Sequence, residues 1–146
     1  ITVSISTNGT SAEITIHPTY HTTYYKNVTV IVNGDTKAYN VWLVLDQGTT
    51  SNLPTGSKVF IIVFNKKANR DLPATYREPG LPSGYVNVIE LTVASTNSPI
   101  SIGSLAGGGV WEIDFMVYIP EGASLTNASA TFGMHLVYSP SSETPP

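Results

Sequence analysis

Short runs of alternating apolar and polar residues make up much of this chain, and they limit what it can fold into. The runs include Ile1–Thr7 at the start, Val110–Ile119, and Ala128–Tyr138 near the end. Turn signals such as Asn33–Asp35 separate them, and no window shows the i, i+3, i+4, i+7 spacing of an amphipathic helix. The pattern predicts an all-β protein, a jelly-roll or Ig-like β-sandwich of about eight or nine strands.

Charge and composition exclude several kinds of partner. Only 12% of the residues are charged, about half the usual ~25%, and the net charge is −3 without a basic run. This balance argues against nucleic acid as a partner. The longest apolar stretch, Lys58–Phe64, has the length of a buried strand and is far shorter than the ~18–20 residues of a membrane span. Without cysteine, the chain has neither a disulfide nor a thiol nucleophile.

Three N-glycosylation sequons bear on location. They begin at Asn8, Asn27 and Asn127. The sequence starts at Ile1 rather than methionine, which is consistent with a removed signal peptide or an excised segment. Together these features predict a glycosylated protein at the cell surface or outside the cell.

The residue types that carry catalysis do not form a recognisable motif. His17 and His21 are four apart but lie in a predicted loop, where that spacing does not bring two metal ligands together. Glu112 and Asp114 share one face of a predicted strand. The simplest interpretation is a solvated outer face, and the alternative is half of a calcium site. We therefore predict no catalytic residue, no metal and no cofactor.

Two blocks of the chain together resemble a known family. In Ala12–Leu45 a short strand leads through a loop to a strand that ends at Asn33–Asp35, and a second strand starts near Ala38. In Ile100–Tyr138 a short strand and a glycine-rich turn precede the amphipathic strand and a closing strand. This order is similar to that of the TasA-like proteins, the biofilm-fibre subunits of bacilli, with related bundling pilins in archaea.

The resemblance implies a specific way of assembling. Such proteins are incomplete jelly rolls that polymerise by donor-strand complementation, in which the N-terminal strand of one subunit fills a groove in the next. Here the donor side chains would be Ile1, Val3 and Ile5. The acceptor groove would be lined by the inward side chains of the last strand, Phe132, Met134 and Leu136.

The implied organisation has three parts. Residues 1–8 would be the donor strand, residues 9–138 the β-sandwich, and residues 139–146 a Ser/Pro-rich tail. The partner would be a further copy of the chain in a homopolymer, a secreted pilus or biofilm-matrix filament. The long loop Asn65–Gly84 and the tail Ser139–Pro146 are candidate contacts between filaments in bundles.

Two alternatives stay open at this point. Asn8-Gly9 between two alternating runs is also a strong hairpin signal, so the first strand could pair with Ala12–Ile16 of its own chain. The protein could instead be a carbohydrate-binding module of a cell-surface protein. The sugar platform would then be Trp42, or the predicted loop that holds Tyr20, Tyr24 and Tyr25.

Overall fold

The computed structural model describes residues 1–18, 22–51, 53–66 and 85–141, without the side chains of residues 47–51. Nine β-strands form most of this part of the chain, and one 3₁₀ helix, Leu91–Val93, follows the sixth strand. The strands are β1 (Thr2–Ile5), β2 (Ser11–Ile16), β3 (Thr22–Val32), β4 (Tyr39–Ser51), β5 (Lys58–Asn65), β6 (Asn87–Glu90), β7 (Ile100–Leu105), β8 (Val110–Tyr118) and β9 (Ala130–Pro140).

The strands form two antiparallel sheets, which confirms the predicted all-β sandwich. Sheet A has the order β1-β2-β9-β4-β7, and sheet B has the order β3-β8-β5-β6. If the strands are renumbered 1 to 8 from β2, sheet A without β1 has the order 1-8-3-6 and sheet B the order 2-7-4-5. This is the strand order of a jelly roll, which is made of two Greek keys. The jelly roll thus has its eight strands without β1, which is an additional strand at the edge of sheet A.

The core lies between the inward faces of the two sheets. Alternate residues of the strands supply it, as the period of two requires. Each fully buried branched or aromatic side chain contributes about 1.5–3 kcal/mol. Members from both sheets include Ile14, Leu43, Val63, Phe115 and Phe132, all at most 4% exposed.

A second cluster of buried side chains lies on the outer face of sheet B. Ile62, Phe64 and Met116 are at most 1% exposed, although their neighbours along the strands point into the sandwich. Strands β5 and β8 are therefore buried on both faces. This explains why Lys58–Phe64 is apolar almost throughout rather than alternating.

The buried side chain of Asn33 joins the turn after β3 to the end of β7. Its Nδ2 donates to the carbonyl oxygens of Lys37, Leu105 and Ala106 at 2.9–3.1 Å. Its Oδ1 accepts from the backbone N–H of Asp35 at 3.0 Å. All the hydrogen-bonding capacity of this amide is directed at backbone groups, so Asn33 fixes the register of two turns.

Several boundaries differ from those predicted. The sequence pattern predicts that the third strand starts at Asn27 and that Asp46–Gly56 is a loop. β3 instead starts at Thr22, and β4 continues to Ser51 because it keeps pairing with β9. β9 extends to Pro140, opposite Tyr39, so two residues assigned to the tail belong to a strand. Residues 67–84 of the predicted loop and 142–146 of the tail lie outside the described residues.

Replacing Asn33 tests its role in the turns. We expect Asn33→Ala to lower the free energy of unfolding by about 2–4 kcal/mol, because several buried backbone groups lose their partner. Denaturant titration measures the loss. Asn40→Ala, on β4, is the matched control and should change stability by less than about 1 kcal/mol. Equal effects of the two substitutions would show that the Asn33 hydrogen bonds are dispensable.

Candidate functional site

The first strand forms a hairpin with the second strand of its own chain. β1 and β2 are antiparallel, with Thr2 opposite Thr15 and Ile5 opposite Ala12. Of the two alternatives for Ile1–Thr7, the single chain thus adopts the internal hairpin. Donation of this strand to another copy requires the hairpin to open.

The three predicted donor side chains have the predicted orientation but are incompletely buried. Val3 lies opposite the core residue Ile14 and packs against the core. Ile1 and Ile5, on the same side of the strand, remain 45% and 49% exposed. Sheet A has five strands and sheet B four in the described part, so the inward face of β1 has little opposite it.

The turn between β1 and β2 is held by one asparagine. The Oδ1 of Asn8 accepts from the hydroxyls of Ser6 and Thr10 at 2.7 and 2.9 Å, and from the Thr10 N–H at 3.2 Å. Gly9 has a φ of +74°, which favours glycine. These contacts are local and exposed, so opening the turn would release polar groups to water rather than bury them.

The two sides of the sandwich differ. At one side, the Nδ2 of Asn87 on β6 donates to the carbonyl oxygens of Ser101 and Ile102 on β7 at 3.0 and 3.1 Å, which joins the sheets. At the other side the edge strands are β1 and β3, and within the described residues β3 pairs only with β8. The sandwich is closed at its β6/β7 side and open at its β1/β3 side.

A largely apolar cleft of about 660 Å³ enters the sandwich at the open side. It reaches core residues of both sheets, and the described residues that line it include no lysine or arginine. The exposed apolar residues among its lining are Ile5 (49%), Val30 (47%), Val32 (61%) and Tyr138 (56%). A cleft of this volume with exposed apolar residues is a candidate binding site.

One acidic group, Asp35, lies at the cleft. Its carboxylate accepts from the hydroxyl of Tyr39 at 2.6 Å and from the N–H of Thr36 at 2.6 Å. These hydrogen bonds, first that of Tyr39, lower the pKa of Asp35. Tyr39 in turn meets Tyr138 edge to face, with ring centroids 5.7 Å apart. The carboxylate thus holds one of the aromatic rings that line the cleft.

The predicted acceptor residues lie on the central strand β9. Met134 and Leu136 line the cleft, as a groove position requires. Phe132 is fully buried in the core and is not among the lining residues. The cleft also includes β3 residues that the sequence analysis did not select. Their signal was the apolar alternation of Val28, Val30 and Val32.

A bulge interrupts β3 and is held by a buried carboxylate. The β3–β8 register shifts between Tyr25 and Thr29, and Asn27 has a φ of +52°. Asp114 of β8 accepts from the backbone N–H of Asn27 at 2.8 Å and from the hydroxyl of Tyr24 at 2.5 Å. Asp114 is fully buried, so the predicted solvated face was wrong at this residue.

The metal alternative has no further support in the geometry. Across the described ranges, no three His, Asp or Glu side chains form a group that could hold a metal ion. His17 is exposed, and His21 lies outside the described residues. His135 faces outward on sheet A and hydrogen-bonds through Nδ1 to Asp46.

The predicted carbohydrate platform is divided by the fold. Tyr24 and Tyr25 are consecutive in β3 and therefore point to opposite faces. Tyr24 packs at the outer cluster, whereas Tyr25 packs against the core, where burial raises the pKa of its hydroxyl. Tyr20 lies outside the described residues, and Trp42 is half-buried.

All three sequon asparagines, Asn8, Asn27 and Asn127, are exposed. Asn27 and Asn127 have left-handed backbones, with φ of +52° and +55°. Asn8 and Asn27 flank the open side, in the β1–β2 turn and in the β3 bulge. Their positions therefore leave room for a glycan.

Comparison with known proteins adds no relative. No protein-family model matches the sequence, and no curated protein matches it. Among the described residues, no helix is both long and apolar enough to cross a membrane.

Removing the charge of Asp114 tests whether this carboxylate stabilises the bulge in β3. We expect Asp114→Asn to lower the free energy of unfolding by about 1–3 kcal/mol, because an amide places a donor where the carboxylate accepts from two donors. Denaturant titration again provides the measurement. The control, Glu13→Gln, alters an exposed carboxylate on β2 and should shift stability by about 0.5 kcal/mol or less. An unchanged free energy of unfolding for Asp114→Asn would show that Asp114 does not stabilise the bulge.

Proposed function

We propose that the protein is a secreted structural subunit of an extracellular filament, a pilus or biofilm-matrix fibre. It assembles head-to-tail when residues 1–5 leave their own hairpin and enter the open side of the next copy. The observation that carries this proposal is the apolar cleft of about 660 Å³, open beside a half-exposed edge strand. No residue has a catalytic role in it.

The arrangement of strands makes β1 dispensable to its own domain. The eight strands β2–β9 have the jelly-roll order without it, and it pairs on one side only, with β2. β1 has four residues, and Ile1 and Ile5 are about half exposed. Its departure removes few core contacts, so a subunit can donate this strand and stay folded.

The chemistry of the cleft matches that of the strand. Ile1–Thr7 has no charged side chain, and its apolar residues alternate with serine and threonine. Among the described residues that line the cleft, Asp35 and His135 are the only members of the Asp, Glu, His, Lys and Arg types. Strand addition supplies main-chain hydrogen bonds for affinity and alternate side chains for register, so it needs no charge.

The symmetry of such a contact favours a fibre. The donor surface and the cleft are different parts of the chain, so the contact is heterologous and repeats without closing when its rotation does not form a ring. The resemblance to TasA-like proteins and archaeal bundling pilins points to the same assembly. The three exposed sequons suit a protein outside the cell.

A disulfide that holds β1 against β2 of its own chain tests directly whether β1 is donated. The chain has no cysteine, so Ser4→Cys with Glu13→Cys, which are directly opposite on the outward face, introduces a single possible pair. We expect the oxidised double variant to stay monomeric at concentrations where the unmodified chain forms filaments. Reduction should restore assembly, as seen by electron microscopy and size-exclusion chromatography.

The two single-cysteine variants are the controls and should assemble. Filaments that form unchanged with the intramolecular disulfide closed would show that β1 is not donated. A chain that stays monomeric at every concentration, with or without the substitutions, would remove the filament proposal itself.

A charge on the inward face of β1 provides a milder test. Val3→Asp should abolish assembly, because the carboxylate would have to enter the apolar cleft of the next copy. Thr2→Asp adds the same charge one residue away on the opposite face and should assemble normally. Light scattering against protein concentration compares the two. Assembly by Val3→Asp at the unmodified threshold would place Val3 outside the contact.

A further inference from the structure

The open side of the sandwich has two edges, and the structure favours one of them as the docking edge. We infer that the strand donated by a neighbouring copy adds to the free edge of β3, at Val30 and Val32, as a further strand of sheet B. This inference rests on the proposed function, since the occupant is residues 1–5 of a second copy. The other conceivable seat is beside β2, where the chain's own β1 lies.

The hydrogen-bond pattern of β3 shows which of its groups face outward. The N–H of Asn33 donates to the carbonyl of Gly109 on the β8 side at 2.9 Å. Directly opposed residues in an antiparallel pair alternate between hydrogen-bonded and non-bonded pairs. Ile31 therefore bonds to β8, whereas the N–H and C=O groups of Val30 and Val32 point away from it. These two residues offer a row of donors and acceptors to an incoming strand.

The bulge sets the length of this edge. Asn27, held by Asp114, disrupts regular pairing near the middle of β3, and Lys26 beside it is exposed. Bulges and lysines are devices that stop strand addition at sheet edges. Beyond the bulge, the regular edge beside the cleft is residues 29–32, about 13 Å at 3.3 Å per residue. β1, with four residues, has a matching length.

The inward side chain at this edge faces the cleft, and the two outward ones lie at the surface. Val30 and Val32 are 47% and 61% exposed, and Ile31 lines the cleft from the inward face. A strand beside β3 would direct every second side chain into the cleft. Ile1, Val3 and Ile5 are spaced to do so, while the polar residues between them stay at the surface.

Availability also favours β3 over β2. In the single chain, β2 already pairs with β1, so a strand from another copy could pair with β2 only after the hairpin opens. The β3 edge has no strand partner among the described residues. An incoming strand can therefore dock on β3 while the acceptor keeps its hairpin closed, and assembly needs only the donor to open.

Binding of a free strand tests the seat without filament formation. The acceptor is the full chain with the Ser4→Cys/Glu13→Cys disulfide closed, which cannot donate. The probe is a fluorescent peptide with the sequence of residues 1–7. We expect saturable one-to-one binding by fluorescence anisotropy, and no binding of the same peptide with Val3→Asp. Failure of the first peptide to bind would overturn the β3 seat.

Proline variants then locate the edge. Val30→Pro removes one outward N–H without touching the β3–β8 ladder and should weaken peptide binding at least tenfold. Val30→Ala keeps that N–H and should bind within about threefold of the unmodified acceptor. If Val30→Pro lowers the melting temperature, Val32→Pro, which removes the other outward N–H, replaces it in this experiment. Equal binding by the proline and alanine variants would exclude this edge.

Filament formation separates this inference from the function it rests on. In the unlocked chain, Val30→Pro should abolish filaments, whereas Glu13→Pro, which removes a β2 amide that faces β1, should not. The reverse result, with an intermolecular disulfide ladder from Ser4→Cys/Glu13→Cys, would place the donated strand beside β2 and keep the filament. Peptide binding at β3 by a chain that never forms filaments would support β3 as the docking edge and reject the proposed function.

Discussion

The two sheets contain unequal numbers of strands, and this inequality determines where the protein is incomplete. Sheet A has five strands and sheet B four in the described part of the chain. At the β6/β7 side the Asn87 amide joins the sheets. The deficit therefore falls entirely at the opposite side, where β1 extends beyond sheet B and β3 has one partner. The cleft, the half-exposed isoleucines of β1 and the exposed valines of β3 all follow from this one missing strand.

An open edge is dangerous for a protein, because any extended chain can pair with it. Here the edge is restricted rather than eliminated. The buried Asp114 carboxylate stabilises the bulge at Asn27, and burial of a carboxylate is costly unless hydrogen bonds compensate for it. That cost is incurred where the bulge separates residues 22–25 of β3 from residues 29–32, which line the cleft. The four residues beside the cleft are enough for one short strand and too few for a long β-rich segment to spread.

The alternation of apolar and polar residues predicted most of the strands, such as β8 and β9, because successive side chains of a strand point to opposite faces. It could not predict the bulge, which places the three β3 residues 26–28 opposite the single residue Asp114. Val28 therefore packs against the core, whereas Val30 and Val32 point outward. The burial of Asp114 was also out of reach, because an acidic residue at an outward position normally marks solvent. The donor side chains could be chosen from sequence, but the edge that would receive them depends on the order of strands in space.

In the proposed filament, the hairpin and the neighbouring copy compete for the same strand. A strand tethered by a short turn meets β2 at an effective concentration in the millimolar range, so a neighbour must offer more than β2 does. Ile1 and Ile5 are 45% and 49% exposed at home, which leaves about 1–3 kcal/mol of burial to be gained in a seat that encloses both. Each 1.4 kcal/mol is a factor of ten, so this gain can offset the tether only when subunits are concentrated. In the proposed assembly, the closed hairpin thus keeps dilute subunits apart, and crowding at a surface or filament end shifts the balance to donation.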